Sequence, residues 1–409
     1  MDNFKIGDSS LNKKTNHHNK VLIFSLLLII FIINFTGLDI KFIPVLQMSN
    51  FNKYISILLI IVFSIFLSIF QDNKLKFDQI SIILFCQLLY YFCVLLFSSS
   101  TDYSLLFFSY TFSFFAYIWI NNNKISKDHL LIFSRVFLSI LIISIIITVY
   151  NLSKLQIPLF LFKSQIILPI GSSNAITTYT FLLLPIVYYL DKNTLRKSIF
   201  LFGTFILVLL SRSNSGIIVM GTMIFYMLIK NSKNKWLNIL FSAVCLLLIL
   251  FLTSQFLPGY FERFSNVINT ITGNSSISNN IDALNGRAQV YSIARSLISK
   301  DFLFGIGFVY RSYMPSLLMT HNWILESLIT GGIFALMIRI ILLCQILFEN
   351  MKFRDVQIQN CISVIIIFSL IQGLVEPSFG GPVFELVFWL IMSFLIQIGR
   401  KPVGMFNQQ

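Results

Sequence analysis

The sequence predicts an all-α polytopic membrane protein of about 12 transmembrane helices. Three observations carry that expectation. Of 409 residues, 56% are hydrophobic and 11% are charged, where a soluble domain carries about 25% charged residues. Apolar runs of roughly 18 residues recur along the whole length, and each is long enough to cross a bilayer. The Lys and Arg residues gather in alternate connections between the runs, which is the asymmetry that orients membrane proteins.

In chain order the spans are expected near 21–37, 54–70, 79–98, 103–120, 130–150, 174–190, 197–211, 215–230, 236–257, 322–346, 358–376 and 382–399. The first follows a basic tail and lacks a small-residue cleavage site, so it reads as a retained span. Eighteen Lys and Arg fall on the side of the N-terminus and five in short segments on the other side, which predicts cytoplasmic termini. The expected organisation is a cytoplasmic tail at 1–20, a transmembrane domain at 21–399 and a cytoplasmic tail at 400–409. Trp119, Trp236, Trp323 and Trp389 stand near span ends, as interfacial anchors would.

Two extracytoplasmic segments stand out. Residues 151–173 carry Pro158, Pro169 and the apolar stretch "IPLFLF", and are expected to lie along the membrane or dip into it. Residues 258–321 form a large extracytoplasmic loop whose length suggests a functional role. Within it, "RAQVYSIARSLISK" puts Val290, Ile293, Ala294, Leu297 and Ile298 on one stripe. That pattern predicts an amphipathic helix lying over the mouth of the bundle.

The net charge of +14 does not imply nucleic acid, because the basic residues sit in short loops. The five cysteines lie in or beside apolar runs, with no Cys/His cluster at ligand spacing. No metal and no other cofactor is therefore expected. The partner implied by composition is the lipid bilayer.

The charges near the extracytoplasmic face carry the chemistry. Arg212 lies in "LLSRSNSGIIV", where two spans meet almost without a loop. Arg287 opens the amphipathic helix and leans toward its apolar side, whereas Arg295 points to solvent. Arg311, in "FVYRSYMP", is a further candidate. His321 starts the tenth span in "MTHNWILES", and the dipole at a helix N-terminus favours the neutral, proton-accepting imidazole. Asn322 is placed to orient that ring or bind a hydroxyl, and Glu326, one turn on, to tune it. Asn174 starts the sixth span at the same face. Arg135 and Arg339 read as snorkelling residues near the cytoplasmic side. Glu376, Glu262 and Asp282 form no convincing carboxylate pair. Two arginines suit a diphosphate, which guanidinium binds in forked, charge-assisted pairs. A neutral His beside them suits deprotonation of a sugar hydroxyl.

At these residues the chain resembles the bacterial superfamily of O-antigen ligases and Wzy-type polysaccharide polymerases. "SRSNSGIIVMG" resembles the family's Arg patch and carries Arg212. "NGRAQVYSIARSLISKDFLFGIGF" resembles its loop stretch and carries Arg287, Gly305 and Gly307; Lys300-Asp301 stands where a Pro is often seen. "HNWILESLITGG" resembles its His-Asn helix start and carries His321, Asn322, Gly331 and Gly332. The resemblance implies a metal-independent glycosyltransferase with catalytic His321, Arg212 and Arg287, while Asn322, Asn174, Arg311 and Glu326 are expected from their positions to bind substrate. It implies undecaprenyl-diphosphate-linked glycans as donor and acceptor, in the bacterial cytoplasmic membrane with the site facing outward. It also implies working partners in a chain-length regulator and a flippase. The "ITGG" ending and the Phe-, Ile-, Asn- and Lys-rich composition favour an O-antigen or capsule polymerase. The alternatives are a ligase that uses lipid A-core as acceptor, and a lipid-linked oligosaccharide flippase. A flippase would need ionisable groups deep in several spans, and the sequence offers few.

Overall fold

The computed structural model describes residues 8–37, 45–72, 75–97, 104–123, 125–157, 162–230, 287–314, 320–376 and 379–400. The described residues are helical almost throughout. In order come α1 (Asp8–Phe35), α2 (Asn50–Asp72), α3 (Gln79–Leu96), α4 (Phe108–Asn121), α5 (Lys127–Lys154) and the short α6 (Phe162–Gln165). Then follow α7 (Ser173–Leu190), α8 (Thr194–Ser211), α9 (Asn214–Lys230), α10 (Arg287–Lys300), α11 (Trp323–Met351), α12 (Val356–Gly373) and α13 (Pro382–Arg400). Seven of these helices are long and apolar enough to cross a membrane, and three shorter apolar helices accompany them. Eleven of the twelve expected spans coincide with helices. The ninth, at 236–257, and most of the 258–321 loop lie outside the described residues.

Local sequence sets the helix starts. Asp78 and Ser81 form a reciprocal capping box on α3, and Ser126 and His129 form one on α5. Asn193 caps α8 and Asp355 caps α12. Each side-chain oxygen satisfies N–H groups that a helix start leaves open. His129 is therefore a capping residue.

Hydrophobicity sets the layers. From Phe384 to Ile398, α13 is buried on nearly every side, as are most of α4 and α7, so these three form the interior. The most extensive packing is between α13 and α4, followed by α12 on α7 and α5 on α7. In contrast, α2, α3 and α8 expose Phe63, Phe66, Leu89 and Phe202. Water would penalise those faces by about 25 cal/mol per Å², and hydrocarbon does not. The protein is an integral membrane protein of all-α class.

The helices alternate in direction, so their ends form two polar layers. At one end Arg400 reaches Asp78 at 2.6 Å and Glu349 at 3.0 Å, and Arg135 reaches Asp191 at 2.5 Å. Burial raises the Asp78 pKa, but hydrogen bonds from Tyr117, Ser81 and Arg400 outweigh it and leave the carboxyl below its ordinary value of 3.8. A lowered folded pKa contributes stability that is full above the unfolded value and is lost as pH falls through the folded one. Arg400→Gln is expected to be less stable than the parent at neutral pH. The gap should narrow below about pH 4, followed by thermal unfolding in detergent at stepped pH; a gap independent of pH would refute the coupling.

At the opposite end, the buried Lys53 donates to the carbonyls of Ile33, Thr36 and Pro169, each at 3.0 Å. Two of these belong to the C-terminal end of α1, whose last carbonyls lack helical partners. This binds α1, α2 and the 162–172 segment together. That segment departs from the all-α expectation. It holds a two-stranded antiparallel hairpin, Ile167–Leu168 with Gly171–Ser172, and buries Phe162, Ile166, Leu168 and Ile170 in the main core.

Two tryptophans also depart from expectation. Trp119 and Trp389 are almost fully buried and act as core residues. Trp236 lies outside the described residues.

The amphipathic helix of the loop is present as α10. Val290, Ala294 and Leu297 are buried, with Ile293 and Ile298 packed beside them, and Arg295 is exposed. These residues join Tyr310, Met314 and Ile329 in a small core separate from the main one. Backbone hydrogen bonds add to the attachment to α11. The helix breaks at Gly331 and Gly332, the latter at φ +64°. The Ile306 N–H donates to the Ile329 carbonyl at 2.8 Å and the Gly307 N–H to the Thr330 carbonyl at 3.1 Å. The Ile333 N–H in turn donates to the Phe302 carbonyl at 2.9 Å. A broken helix is tolerated within a membrane where protein groups re-satisfy its backbone. The turn and loop at 302–307 do that here.

Candidate functional site

Arg212 ends α8 in the left-handed region, at φ +56° and ψ +31°. Its residue is buried and stands in the tight turn to α9. In that turn the Ser213 hydroxyl accepts the Gly216 N–H at 3.1 Å. Gly216 lets α9 approach α7, because a Cβ there would stand 2.8 Å from Thr177 Cγ2.

His321 stands just before α11, also left-handed at φ +54°. Such backbone is costly for a residue with a Cβ and persists only where neighbours fix it. Both neighbours of His321 are fixed. After it, the Asn322 side-chain oxygen accepts from the Ile324 and Leu325 N–H groups at 2.9 and 3.2 Å and caps α11. Before it, Thr320 donates to Glu326 through its hydroxyl at 2.9 Å and its N–H at 3.3 Å. Tyr310 donates to the other oxygen of the same carboxylate. Among the described residues, three non-glycine residues have positive φ: Gln156, Arg212 and His321. Two of the three are expected catalytic residues.

The expected partner of His321 is corrected by this geometry. Glu326 holds Thr320 and Tyr310, whereas the carboxylate facing the imidazole belongs to Glu376, just beyond α12. Glu376 Oε2 lies 3.6 Å from His321 Nδ1. Its Oε1 accepts from the Ser215 hydroxyl, in the first turn of α9, at 3.0 Å. Glu376 therefore joins the His321 turn to the Arg212 turn, although these are more than 100 residues apart in sequence. The residue is only 2% exposed. Sequence periodicity pairs residues within one helix and could not find this pair; the one available signal was an acid at a span end where charges are scarce. With Nδ1 toward the carboxylate, Nε2 is left to take a proton, and the carboxylate stabilises the imidazolium that results. Glu376→Gln is expected to lower turnover by about 10- to 100-fold at unchanged protein level, measured on purified protein with lipid-linked substrate. Unchanged turnover would remove Glu376 from the site.

The other expected residues fall as follows. Asn174 lies in the first turn of α7, and its side-chain oxygen is buried without a hydrogen-bond partner. Arg311 is partly buried on the 3₁₀ helix Phe308–Tyr313, within electrostatic reach of Tyr54 in α2. Arg287 is the first residue of α10; the direction of its side chain lies outside the described residues. Asn322 commits its oxygen to the cap. Arg135 pairs with Asp191 at the far end, as an interfacial residue does. Arg339 does not snorkel. It is buried and pairs with Glu385 at 2.6 Å, so deep charge is less scarce than the sequence suggests. Among the described residues no group of three or more His, Cys, Asp or Glu could hold a metal ion.

Residues 199–340 match the family model described as O-Antigen ligase. That match supports membership of the O-antigen ligase/polymerase superfamily. The matched segment spans about a third of the sequence. It runs from α8 into α11 and contains Arg212, Arg287, Arg311, His321, Asn322, Glu326 and the glycines of the α11 break. It stops before Glu376. No curated protein matches the chain. Members of that family are glycosyltransferase-like enzymes, and the arrangement of His321, Glu376 and Arg212 is the candidate functional site.

Proposed function

We propose that this protein polymerises undecaprenyl-diphosphate-linked repeat units into O-antigen or capsular polysaccharide. In this reading it lies in the bacterial cytoplasmic membrane with both termini cytoplasmic and the His321 end facing outward. The observation that carries it is the junction made by Glu376: a histidine and an arginine turn, both left-handed, meet at one end of a membrane bundle in an O-antigen ligase superfamily chain. Arg212 and Arg287 bind the donor diphosphate and offset the charge that grows on it as it leaves. Nε2 of His321 takes the proton from the acceptor hydroxyl. The acceptor oxygen forms its bond to the anomeric carbon as the bond from that carbon to the diphosphate oxygen breaks, with inversion. In this reading Asn174, Arg311 and the Asn322 amide bind sugar hydroxyls and phosphate oxygens, while Glu326 acts through Thr320. Helix α10 excludes water that would hydrolyse the donor. No step calls for a metal or other cofactor. A chain-length regulator and a flippase of the same pathway would be its working partners.

The test is the surface glycan of a strain lacking the protein, run on a gel beside the parent. A single repeat unit on its final acceptor is the result expected of a lost polymerase. Loss of all attached glycan, with polymer accumulating on the lipid carrier, would make the protein a ligase. An accumulation of unpolymerised units on the cytoplasmic leaflet would instead indicate a flippase.

A further inference from the structure

Buried beneath the candidate site is an ion pair that the mechanism above does not use. Arg339, in α11 below the helix break, is 4% exposed, and Glu385, in the first turn of α13, is fully buried. Isolated charges at such depth are costly, and where they occur they mark function more often than stability. Here each residue of the pair also contacts the Phe379–Gly380 turn, close after Glu376 in the chain. Glu385 Oε1 accepts the Arg339 Nη2 at 2.6 Å and the Gly380 N–H at 3.0 Å. Its Oε2 accepts from Trp389 Nε1 at 3.1 Å and the Ser113 hydroxyl at 3.2 Å. The Arg339 guanidinium lies over the Phe379 ring, 5.2 Å from its centre. Gly380, at φ +94°, gives its carbonyl to the Ser109 hydroxyl at 2.6 Å.

The other wall of this turn is the His321 segment. Phe379 meets Trp323 edge to face with ring centres 6.1 Å apart. A Cβ on Gly380 would stand 3.6 Å from Glu326 Cγ. The same two residues, Phe379 and Gly380, thus touch the pair below, the start of α11 at the side, and follow Glu376 closely in the chain.

We propose that Arg339 and Glu385 are positioning residues that fix the Phe379–Gly380 turn and, through it, the separation of Glu376 from His321. The proposal rests on the reading of His321 and Glu376 as catalytic. The pair touches no substrate, so it acts on turnover and leaves donor binding alone. Misplacing a catalytic group by about 1 Å costs up to about 10²-fold.

The experiment uses a charge-free double variant, Arg339→Met with Glu385→Leu. Replacing a buried ion pair by apolar residues of similar volume commonly leaves a protein folded, whereas either single change strands a buried charge. Expected is normal membrane level and thermal unfolding, kcat reduced about 10- to 100-fold and KM for the lipid-linked donor unchanged. The exchanged pair, Arg339→Glu with Glu385→Arg, keeps both charges but has no acceptor for the Gly380 N–H, so it should stay impaired. A second readout is independent of activity. With His321→Cys and Glu376→Cys in a background cleared of native cysteines, disulfide formation should be fast, and slower and less complete when the double apolar change is added. Full turnover in the double variant, equal cross-linking in both backgrounds, or recovery by the exchanged pair would each overturn the proposal. If His321→Ala itself keeps full turnover while the cross-linking still depends on the pair, the positioning stands and the catalytic reading fails.

Discussion

Replacing His321 with Ala is expected to abolish long glycan chains and to lower turnover by about 10²- to 10⁴-fold, the range a general base supplies. The reason lies in three contacts at once. His321 faces Glu376 at 3.6 Å, its backbone is held at φ +54°, and Thr320 before it is tied to Glu326. The left-handed backbone raises a competing account, in which Ala fails by strain. His321→Asn separates the two, because Asn tolerates that region better than Ala and supplies no base. Asn should match the parent in membrane level and unfolding temperature and match Ala in lost turnover. Arg212→Ala is expected to lose turnover to a similar extent, and Arg212→Lys to regain little, since an ammonium lacks the guanidinium fork. Normal chain length in the His321 and Arg212 variants would sink the proposed chemistry.

The second large effect is structural. Gly332→Ala would put a Cβ 2.1 Å from the Leu303 carbonyl oxygen, at a φ of +64°. Backbone cannot yield as a side-chain tip can, so the 302–307 segment must leave α11. That would break the three hydrogen bonds between Phe302, Ile306, Gly307 and the helix break. A loss on the order of 3 kcal/mol is expected, since each unmade buried bond costs about 1 kcal/mol or more. Thermal unfolding in detergent measures the loss, and limited proteolysis should show new cleavage near 302–307. Gly203→Ala is the control: its Cβ would meet only the flexible Ile142 side chain, nearest at Cδ1 at 2.9 Å, and it should cost about 1 kcal/mol. Equal stability of the two variants would mean that the glycine break is not what holds the loop.

The sequence by itself determined the class and the parts. Composition and run length gave an all-α membrane bundle, because bilayer thickness fixes how long an apolar helix must be. The stripe on residues 290–298 gave α10, because a helix repeats every 3.6 residues and its buried face must be apolar. The scarcity of charge at one face pointed to Arg212 and His321, and both are held in left-handed turns at the same end of the bundle. What only the tertiary structure decided are the contacts between distant segments. Glu376 was visible as a lone acid, but its place opposite His321 depends on how α12 ends against α11. Glu326 shares a helix face with His321 and was paired with it for that reason; the left-handed turn rotates the imidazole away and leaves the carboxylate to Thr320 and Tyr310. Arg339 carries nothing in its local sequence to distinguish a snorkelling arginine from a buried one, since that depends on whether another helix brings a carboxylate to it. The glycines at 305, 307, 331 and 332 were legible as a pattern. That they interlock follows from two backbones approaching closer than any Cβ permits, which is a property of the pair and of neither segment alone.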